Sequence, residues 1–174
     1  MTLGIRAKAA REIMEFTYRD HVVPADRKTV HEIVESTGFF TPEEVEVAVE
    51  LVDAGLSGES ISDYLFLFCE DFSGKVLGYT CYGRVPCTHG SFDLYWIAVH
   101  KDHQGLGIGR GLLERTEEKI RKMGGMRVYI ETSSRDLYKP TQGFYLNAGY
   151  CPEATLKDYY SQGDSKIIYV KHLS

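Results

Sequence analysis

Cysteine is scarce in this sequence, and the cysteines present form no C-x-x-C pair. Without paired or clustered cysteines, neither a disulfide framework nor a cysteine-based metal site is indicated. Three of them lie in or beside apolar, strand-like runs, so we predict reduced and mostly buried thiols. The four positions are Cys69, Cys81, Cys87 and Cys151.

Long apolar runs and an excess of positive charge are missing as well. The N-terminal stretch MTLGIRAKAAREIMEF has no apolar run long enough for a signal peptide, and no segment is apolar enough to span a membrane. The formal net charge of -5 and the pI of about 5.7 argue against broad, non-specific binding to nucleic acid, which needs a basic surface. We therefore expect a cytoplasmic protein whose partners include neither a membrane nor a nucleic acid.

The pattern that is present is that of a single α/β domain. The 174 residues amount to about one domain, expected over 14–174, with an N-terminal arm or short helix over 1–13. Apolar periodicity, glycines and prolines predict a mixed sheet with helices on both faces. The predicted strands cover 14–23, 63–71, 75–83, 91–100, 126–134, 150–160 and 166–173, and the predicted helices cover 24–36, 41–55, 109–123 and 139–149.

The second predicted helix is acidic. Thr41 and Glu44 have capping-box spacing, Pro42 occupies the first helical position, and Gly55 is expected to end the helix. Its charged residues are Glu43, Glu44, Glu46, Glu50 and Asp53, with no basic residue among them. Such a run of charge is most often a solvated face.

The segment HQGLGIGRG, residues 103–111, places four glycines at alternating positions between a predicted central strand and a helix. At a helix start several backbone N–H groups lack partners, and the helix dipole favours a negative group. Without side chains, a phosphate can approach those N–H groups closely. The loop therefore predicts a phosphate cradle, with a glycine-rich turn that binds nothing as the alternative.

Several common site motifs are absent. The dinucleotide fingerprint G-x-G-x-x-G would need glycine at Arg110 or at Leu112, and the nucleotide loop G-x-x-x-x-G-K-[ST] does not occur. A zinc site on His100 and His103 would need two further ligands, which no Cys/His cluster supplies. A Ser/His/Asp hydrolase is disfavoured because there is no G-x-S-x-G elbow.

A third loop pattern fits. Gln104-x-x-Gly107-x-Gly109 resembles the Q/R-x-x-G-x-G/A signature of the GNAT superfamily of acetyl-CoA-dependent N-acetyltransferases. The stretch LYWIAVHKDHQGLGIGRGLLERTEEKI resembles the strand, loop and helix around that signature, and GFYLNAGY resembles the family's second sequence block. The predicted order of elements is similar too, and the resemblance covers roughly residues 14–173.

The resemblance implies a fold and a co-substrate. The fold is α/β (α+β), the GNAT fold, with a mixed, mostly antiparallel sheet of six to seven strands and helices on both faces. The co-substrate is acetyl-CoA, with its pyrophosphate on the signature loop and its pantetheine arm along the preceding strand, and no metal is expected. The implied contacts are Ile97, Ala98, Val99, Gln104, Gly105, Leu106, Gly107, Ile108, Gly109, Arg110, Thr132, Ser133, Tyr138, Thr141 and Tyr145.

The resemblance also implies catalytic roles. The N–H of Val99 would polarise the thioester carbonyl. Tyr145 falls on the family's general-acid tyrosine, with a packing role as the alternative. A lysine-type amine has a pKa near about 10 and must lose a proton before it attacks. Asp93 aligns with the glutamate base of related histone acetyltransferases, or else bonds a turn at the strand start, and Glu131 is the second candidate base.

The acceptor is left open by the resemblance. The expected reaction is direct transfer to a primary amine. In this fold the first two helices border the acceptor site, so the acidic helix favours a small cationic amine. The segment LKDYYSQGDSKIIYVKHL resembles the closing hairpin of family members that acetylate protein N-termini, in which Tyr159 and Tyr160 would line a groove, unless they only pack across the hairpin. Protein N-terminal or lysine acetylation, a non-catalytic acyl-CoA-binding module and an interaction domain are the alternatives, and a homodimer is a further expectation.

Overall fold

The computed structural model describes residues 16–57 and 64–173, which form seven strands and four helices. The strands are β1 (Thr17–Arg19), β2 (Leu65–Glu70), β3 (Val76–Arg84), β4 (Ser91–Val99), β5 (Arg127–Ser133), β6 (Cys151–Ser161) and β7 (Asp164–His172). The helices are α1 (Asp26–Thr37), α2 (Pro42–Leu56), α3 (Ile108–Lys122) and α4 (Lys139–Asn147). The predicted order of elements is confirmed, while the arm predicted for 1–13 lies outside the described residues.

The seven strands form one sheet in the order β1-β2-β3-β4-β5-β7-β6. Every neighbouring pair is antiparallel except β4 and β5, which run parallel. This confirms the mixed, mostly antiparallel sheet expected from the sequence. No helix within 16–57 and 64–173 is long and apolar enough to cross a membrane.

The central strands β4 and β5 separate along their length. They pair only over 91–93 and 127–129. On its other edge β4 stays paired with β3 as far as Val99, but the register shifts between Leu94 and Trp96, so that Tyr95 is an extra residue. A bulge of this kind bends the strand. Beyond it the C-terminal halves of β4 and β5 stand apart and leave a V-shaped gap in the sheet.

The helices cover the sheet on both faces, as predicted. Phe66 and Phe68 of β2 pack in one core with α1 and α2. The alternate residues Leu67 and Cys69 pack with Leu112 of α3, and successive side chains of a strand point to opposite faces. α4 joins α3 in a third core cluster through Tyr145, so α3 and α4 share the face opposite α1 and α2.

The end of α2 differs from the prediction. The helix continues through Gly55 and ends after Leu56. A Cβ at Gly55 would lie 3.1 Å from the ring of Phe66 and 3.1 Å from Val22. Glycine is therefore needed here for close packing of the helix on the sheet, not to end the helix.

The cysteines differ from the prediction in part. All four are free thiols, but only Cys69 and Cys81 are buried, whereas Cys87 and Cys151 are exposed. Cys87 lies in the turn between β3 and β4, and Cys151 begins the edge strand β6, which is exposed at every residue. Neither position has a packed layer above it, which the local sequence does not reveal.

Tyr79 of β3 carries a buried hydroxyl for which the described residues offer no hydrogen-bond partner. Its ring stacks with those of Phe66 and Phe68, and burial raises its pKa well above the ordinary value. An unsatisfied buried polar group opposes folding, so Tyr79→Phe should raise the free energy of unfolding by about 1–2 kcal/mol. Urea unfolding measures this change.

Tyr150→Phe is the matched control for this prediction. The Tyr150 hydroxyl is also buried, but it donates to Glu117 Oε1 at 3.0 Å. Its removal takes a donor from a buried carboxylate and should lower the free energy of unfolding by about 1–3 kcal/mol. A decrease in the free energy of unfolding of Tyr79→Phe, like that expected of Tyr150→Phe, would contradict the assignment of the Tyr79 hydroxyl as unsatisfied.

Candidate active site

The edge of β4 that faces the gap presents backbone donors. The N–H of His100 donates to the carbonyl of Leu77 on β3 at 2.9 Å, and the same register pairs Gly78 with Val99. Hydrogen-bonded and non-hydrogen-bonded positions alternate along an antiparallel pair. The N–H groups of Val99 and Ile97 therefore point away from β3 and into the gap, where a further strand would lie.

The glycine loop follows β4 directly and leads into α3. After a short 3-10 turn at Lys101–His103, Gln104 Nε2 donates to the carbonyl of Val99 at 3.1 Å and ties the loop to the strand. Gly107 is the N-cap of α3 and has φ +83°, a conformation that side chains strongly disfavour. A Cβ added at Gly107 would meet nothing within 4 Å, so the space above the loop is open.

The start of α3 is suited to an anion. The first helical hydrogen bond of α3 runs from the N–H of Gly111 to the carbonyl of Gly107 at 3.0 Å, so the N–H groups of Ile108, Gly109 and Arg110 lack helical partners. Helices α1 and α2 each carry acidic residues in the first turn, whereas α3 has none there. The positive end of its dipole is thus left for an external anion.

Two adjoining cavities lie along this surface. The fork cavity, of about 420 Å³, lies between the separated ends of β4 and β5, and the loop cavity, of about 430 Å³, lies against the glycine loop. Both are within the size range of small-molecule sites. They share one wall, because the same residues border both: Phe39, Ile97, Val99, Gln104, Thr141 and Tyr145.

Most of the predicted site residues are brought together here. Of those that border one cavity, Ala98, Glu131, Thr132, Ser133 and Tyr138 border the fork cavity, and Gly105, Gly107, Ile108, Gly109 and Arg110 border the loop cavity. Two predicted residues border neither cavity. Leu106 is exposed on the loop, and Asp93 lies nearer the closed end of the gap, where β4 and β5 still pair.

Tyr145 of α4 stands where the two cavities meet. The residue is 4% exposed, and its ring packs against those of Tyr150 and Tyr169. No side-chain hydrogen bond engages its hydroxyl in the described part of the chain, where the only fully buried hydroxyl without a partner is that of Tyr79. The Tyr145 hydroxyl therefore keeps contact with the cavity. Burial raises its pKa, so it is protonated and able to donate.

Two carboxylates and an ammonium group lie on one face of β4, β5 and β7. Asp93 pairs in register with Tyr129, two residues before Glu131. Lys166 Nζ binds Glu131 Oε2 at 2.6 Å and lies 3.9 Å from the centroid of the Tyr159 ring. Burial raises the pKa of Asp93, and the charge of Glu131 adds to this rise, while Lys166 opposes it. Glu131 borders the fork cavity, and Asp93 lies nearer the closed end of the gap.

The far wall of the fork cavity is tied together by Asp164. Ser133 Oγ donates to Asp164 Oδ1 at 2.5 Å, and Arg135 Nε lies 3.1 Å from Asp164 Oδ2. Tyr160, carried by a break in the β6–β7 register between Leu156 and Ser161, borders the same cavity. This wall therefore combines the Asp164 carboxylate, which is paired with Arg135, with the aromatic ring of Tyr160.

Sequence reasoning missed much of the aromatic lining. Phe39, Phe40 and Trp96 border the fork cavity, and Phe144 borders the loop cavity. The pair Phe39-Phe40 follows the helix-ending Gly38, and two bulky apolar residues in a surface loop are a usable signal because loops rarely bury side chains. Trp96 could not be placed, since its side of the sheet depends on the bulge at Tyr95.

Metal ligands do not cluster in the ranges that the structure describes. Within 16–57 and 64–173, no group of three or more His, Cys, Asp or Glu side chains could hold a metal ion. The rings of His100 and His103 lie 5.6 Å apart. His100 Nδ1 accepts the N–H of Asp102 at 3.3 Å, which gives this histidine a role in the local turn.

Comparison with known proteins agrees with this architecture. The model of the acetyltransferase (GNAT) family matches residues 29–150, more than half of the chain. A crystal structure of a GNAT-family protein from Desulfovibrio desulfuricans, assigned as an acetyltransferase, is 44% identical with a TM-score of 0.89, over 92% of this chain and 100% of that chain. The expected GNAT fold is thereby confirmed.

Two further similarities are more distant. An uncharacterised N-acetyltransferase of Methanocaldococcus jannaschii is 29% identical over 104 residues, which are 60% of this chain and 64% of that protein, less than two thirds of its length. An aminoglycoside 6'-N-acetyltransferase solved with coenzyme A has a TM-score of 0.68 at 16% identity, over 91% of this chain and 97% of that chain. At that identity the likeness shows the fold alone.

Proposed function

Because the chain belongs to the GNAT family of acetyltransferases, we propose that it moves the acetyl group of acetyl-CoA to the primary amine of a small cationic acceptor. The observation that carries this proposal is the pair of adjoining cavities from the glycine loop to the fork, both bordered by the strand edge of Ile97 and Val99. One end of this space suits a pyrophosphate, the middle suits an extended arm, and the far end contains carboxylates.

The donor is held mainly by backbone groups. The N–H groups of Ile108, Gly109 and Arg110 bind the pyrophosphate, and Gln104 keeps the loop fixed to β4. The gap edges of β4 and β5 bind the amides of the pantetheine arm as they would bind a strand. The donor supplies the acetyl thioester, and the chain supplies its position.

Four groups of the chain take part in the transfer itself. The N–H of Val99 donates to the thioester oxygen as negative charge develops there. Glu131 takes the proton of the amine, and Asp93 takes part through a water. The C–N bond forms as the C–S bond breaks, and Tyr145 gives its proton to the departing sulfur. Because a thiol has a pKa near about 8.5, this last step helps but is not essential.

Direct transfer, without an acyl-enzyme, is supported by the cysteines. None of the four is among the residues that border the two cavities. Burial also raises the pKa of Cys69 to about 11, so that its thiol is not a nucleophile at neutral pH.

The free state of all four thiols supports a cytoplasmic location. The homodimer expected from the sequence stays a prediction.

A protein N-terminal amine is the second candidate acceptor. Tyr159 and Tyr160 are 55% and 49% exposed, and their rings meet edge to face at 5.0 Å beside the fork cavity. Exposed rings at the mouth of a site suit an extended peptide more than a compact amine. A lysine side chain would use the same entrance.

Tyr145→Phe tests the proposal as an enzyme. The variant keeps the packed ring and loses only the hydroxyl, so kcat for an amine should fall roughly tenfold to hundredfold. The increase in melting temperature caused by acetyl-CoA should remain. Release of the CoA thiol, with mass spectrometry of the acetylated amine, measures kcat. Melting curves with and without acetyl-CoA measure the change in melting temperature.

Tyr169→Phe provides the control, because Tyr169 contacts the Tyr145 ring but borders neither cavity. Its kcat should match that of the unmodified chain. Equal kcat in Tyr145→Phe would remove this hydroxyl from the chemistry. Binding of acetyl-CoA without transfer to any amine or peptide would favour a non-catalytic acyl-CoA-binding module.

A further inference from the structure

Glu44 is the one acidic side chain of α2 that borders the fork cavity. Its Oε2 accepts the N–H of Thr41 at 2.7 Å, and this capping box fixes the side chain in the first turn of the helix. The dipole of α2 stabilises a negative charge at this place. The other acidic residues of the helix, Glu43, Glu46, Glu50 and Asp53, lie outside the cavity lining.

The charge of Glu44 is not offset by an ion pair within 16–57 and 64–173. The other two carboxylates of the fork cavity have such partners: Glu131 binds Lys166 at 2.6 Å, and Asp164 binds Arg135 at 3.1 Å. Among the ion pairs of the described residues, none includes Glu44. The cavity therefore keeps one negative charge that a ligand can neutralise.

Aromatic rings border the same cavity as this charge. The rings of Phe39 and Tyr138 lie 6.0 Å apart, and those of Phe40 and Trp96 lie 4.8 Å apart, all along the cavity. Tyr138 and Glu44 border the same cavity, and burial and then the Glu44 carboxylate raise the pKa of Tyr138. A cavity that contains both a carboxylate and aromatic rings is an environment that favours an ammonium group.

The chain already holds one ammonium in this manner nearby. Lys166 Nζ lies between the carboxylate of Glu131 and the ring of Tyr159, 3.9 Å from the ring centroid. The cavity at Glu44 also offers a carboxylate and aromatic rings, but no lysine of the described residues forms an ion pair with this carboxylate. The ammonium group of a ligand can therefore bind there.

Glu44 differs from the reacting groups in the cavity that it borders. Tyr145 and Val99 border both cavities, whereas Glu44 borders the fork cavity alone. A ligand that reaches Glu44 as well as the place that both cavities share needs a polar or reactive group at each of its two ends.

We propose that Glu44 binds a second cationic group of the acceptor, so that the substrate is a flexible diamine or polyamine. The reactive amine lies between Val99 and Glu131, and the distal ammonium lies against Glu44 and Tyr138. This inference rests on the proposed acetyltransferase function and narrows its acceptor to amines with two cationic groups.

The test compares diamines with monoamines of equal length. With acetyl-CoA as donor, kcat/KM is measured for 1,4-diaminobutane against butylamine and for 1,5-diaminopentane against pentylamine. The unmodified chain should favour the diamine at least about tenfold, since a hydrogen bond between charged groups contributes about that much. The preference should appear in KM more than in kcat, because Glu44 takes no part in the bonds that change.

Glu44→Gln removes the charge and keeps the helix cap, because glutamine also completes a capping box. The ratio of diamine to monoamine kcat/KM should fall toward one in this variant. Glu43→Gln is the matched control, since Glu43 is exposed in the same turn and outside the cavity. It should leave the ratio unchanged.

Each outcome decides between the possibilities. Equal kcat/KM for diamine and monoamine in the unmodified chain overturns the inference, and so does a preference that survives Glu44→Gln. Transfer to a peptide N-terminus but to neither amine overturns it as well, while leaving the acetyltransferase function in place. A chain whose melting temperature does not respond to acetyl-CoA would instead refute the proposed function itself.

Discussion

Replacing Gly107 by leucine is expected to abolish the stabilisation that acetyl-CoA gives this protein against thermal unfolding. Gly107 has φ +83° and is the N-cap of α3, and the space where its Cβ would lie is open. That space is where we place the pyrophosphate, next to the N–H groups of Ile108 and Gly109. A leucine would fill it and would also press the backbone toward negative φ.

The expected size of this effect is large. A ligand that binds only the folded state at 100 times its Kd adds about 2.7 kcal/mol to the free energy of unfolding. We expect the Kd of the Gly107→Leu variant for acetyl-CoA to rise by about 100-fold or more, which is about 2.7 kcal/mol of binding free energy. Melting curves with and without acetyl-CoA, followed by calorimetric titration, measure both quantities.

Gly74→Leu separates the loss of binding from backbone strain. Gly74 lies in the turn between β2 and β3, has φ +81°, and also has nothing within 4 Å of an added Cβ. The strain of the substitution is therefore matched, but Gly74 borders neither cavity. The Gly74 variant should melt lower and still respond to acetyl-CoA. A full response in the Gly107 variant would leave the loop as a turn without a ligand.

The glycine loop is also the feature that sequence reasoning located best. Its evidence is local: alternating glycines, a strand before them and an amphipathic helix after them. Local geometry follows from such a pattern, because left-handed φ values and a helix start depend on residues within one or two turns. Helix α2 was anticipated for the same reason, through the capping box of Thr41 and Glu44.

The fork was not predictable in the same way. Its opening depends on the extra residue Tyr95 in β4 and on where β5 stops pairing. A one-residue shift turns side chains to the other face of a sheet, so the placement of Trp96 and of Asp93 relative to the cavity could not be read from alternation alone. Asp93 was the first candidate base from the sequence, but the sequence could not show that Glu131 borders the cavity and Asp93 does not.

The acidic helix illustrates the same limit of local pattern. Five acidic residues on α2 predict a general attraction for cations. Only the packing of α2 against the loop before it selects Glu44 for the cavity, while Asp53 pairs with Arg27 at the surface. Likewise Gly55 looks like a helix end in sequence and proves to be a contact with Phe66. Such distinctions arise from residues far apart in the chain.

Glu131→Gln is expected to lower kcat/KM for an amine at neutral pH by about 100-fold or more. Glutamine keeps the size of the side chain and an oxygen for Lys166, but it cannot accept the proton of the amine. Asp93→Asn should cost about tenfold, because Asp93 borders neither cavity and acts only through water. Initial rates with saturating acetyl-CoA measure both variants.

The pH dependence distinguishes Asp93 from a purely structural residue. Its pKa is raised by burial, and further by Glu131. Its contribution as a proton acceptor is therefore lost as pH falls through this raised pKa. In the unmodified chain, kcat/KM plotted against pH should fall on the acid side as Asp93 becomes protonated. This fall should be absent in Asp93→Asn.

The direction in which Asp93→Asn changes the stability follows from the raised pKa of Asp93. A carboxyl whose pKa is higher in the folded than in the unfolded chain binds more protons when folded, so stability decreases as pH rises from its ordinary to its raised pKa. Above that window the ionised Asp93 opposes folding. Asp93→Asn should thus be at least as stable as the unmodified chain at neutral pH, as urea unfolding would show, and its lower rate cannot then be attributed to unfolding.

The ranking of the two variants identifies the base. If Glu131→Gln loses far more activity than Asp93→Asn, the carboxylate at the cavity wall takes the proton, and Asp93 assists. If Asp93→Asn loses as much, Asp93 is the base itself, and Glu131 with Lys166 only sets the charge around it. If neither loses activity, the amine reaches the site already neutral and the pair has no part in deprotonation. The 2.6 Å contact between Lys166 and Glu131 favours the first outcome, because it holds the Glu131 carboxylate at the wall of the fork cavity.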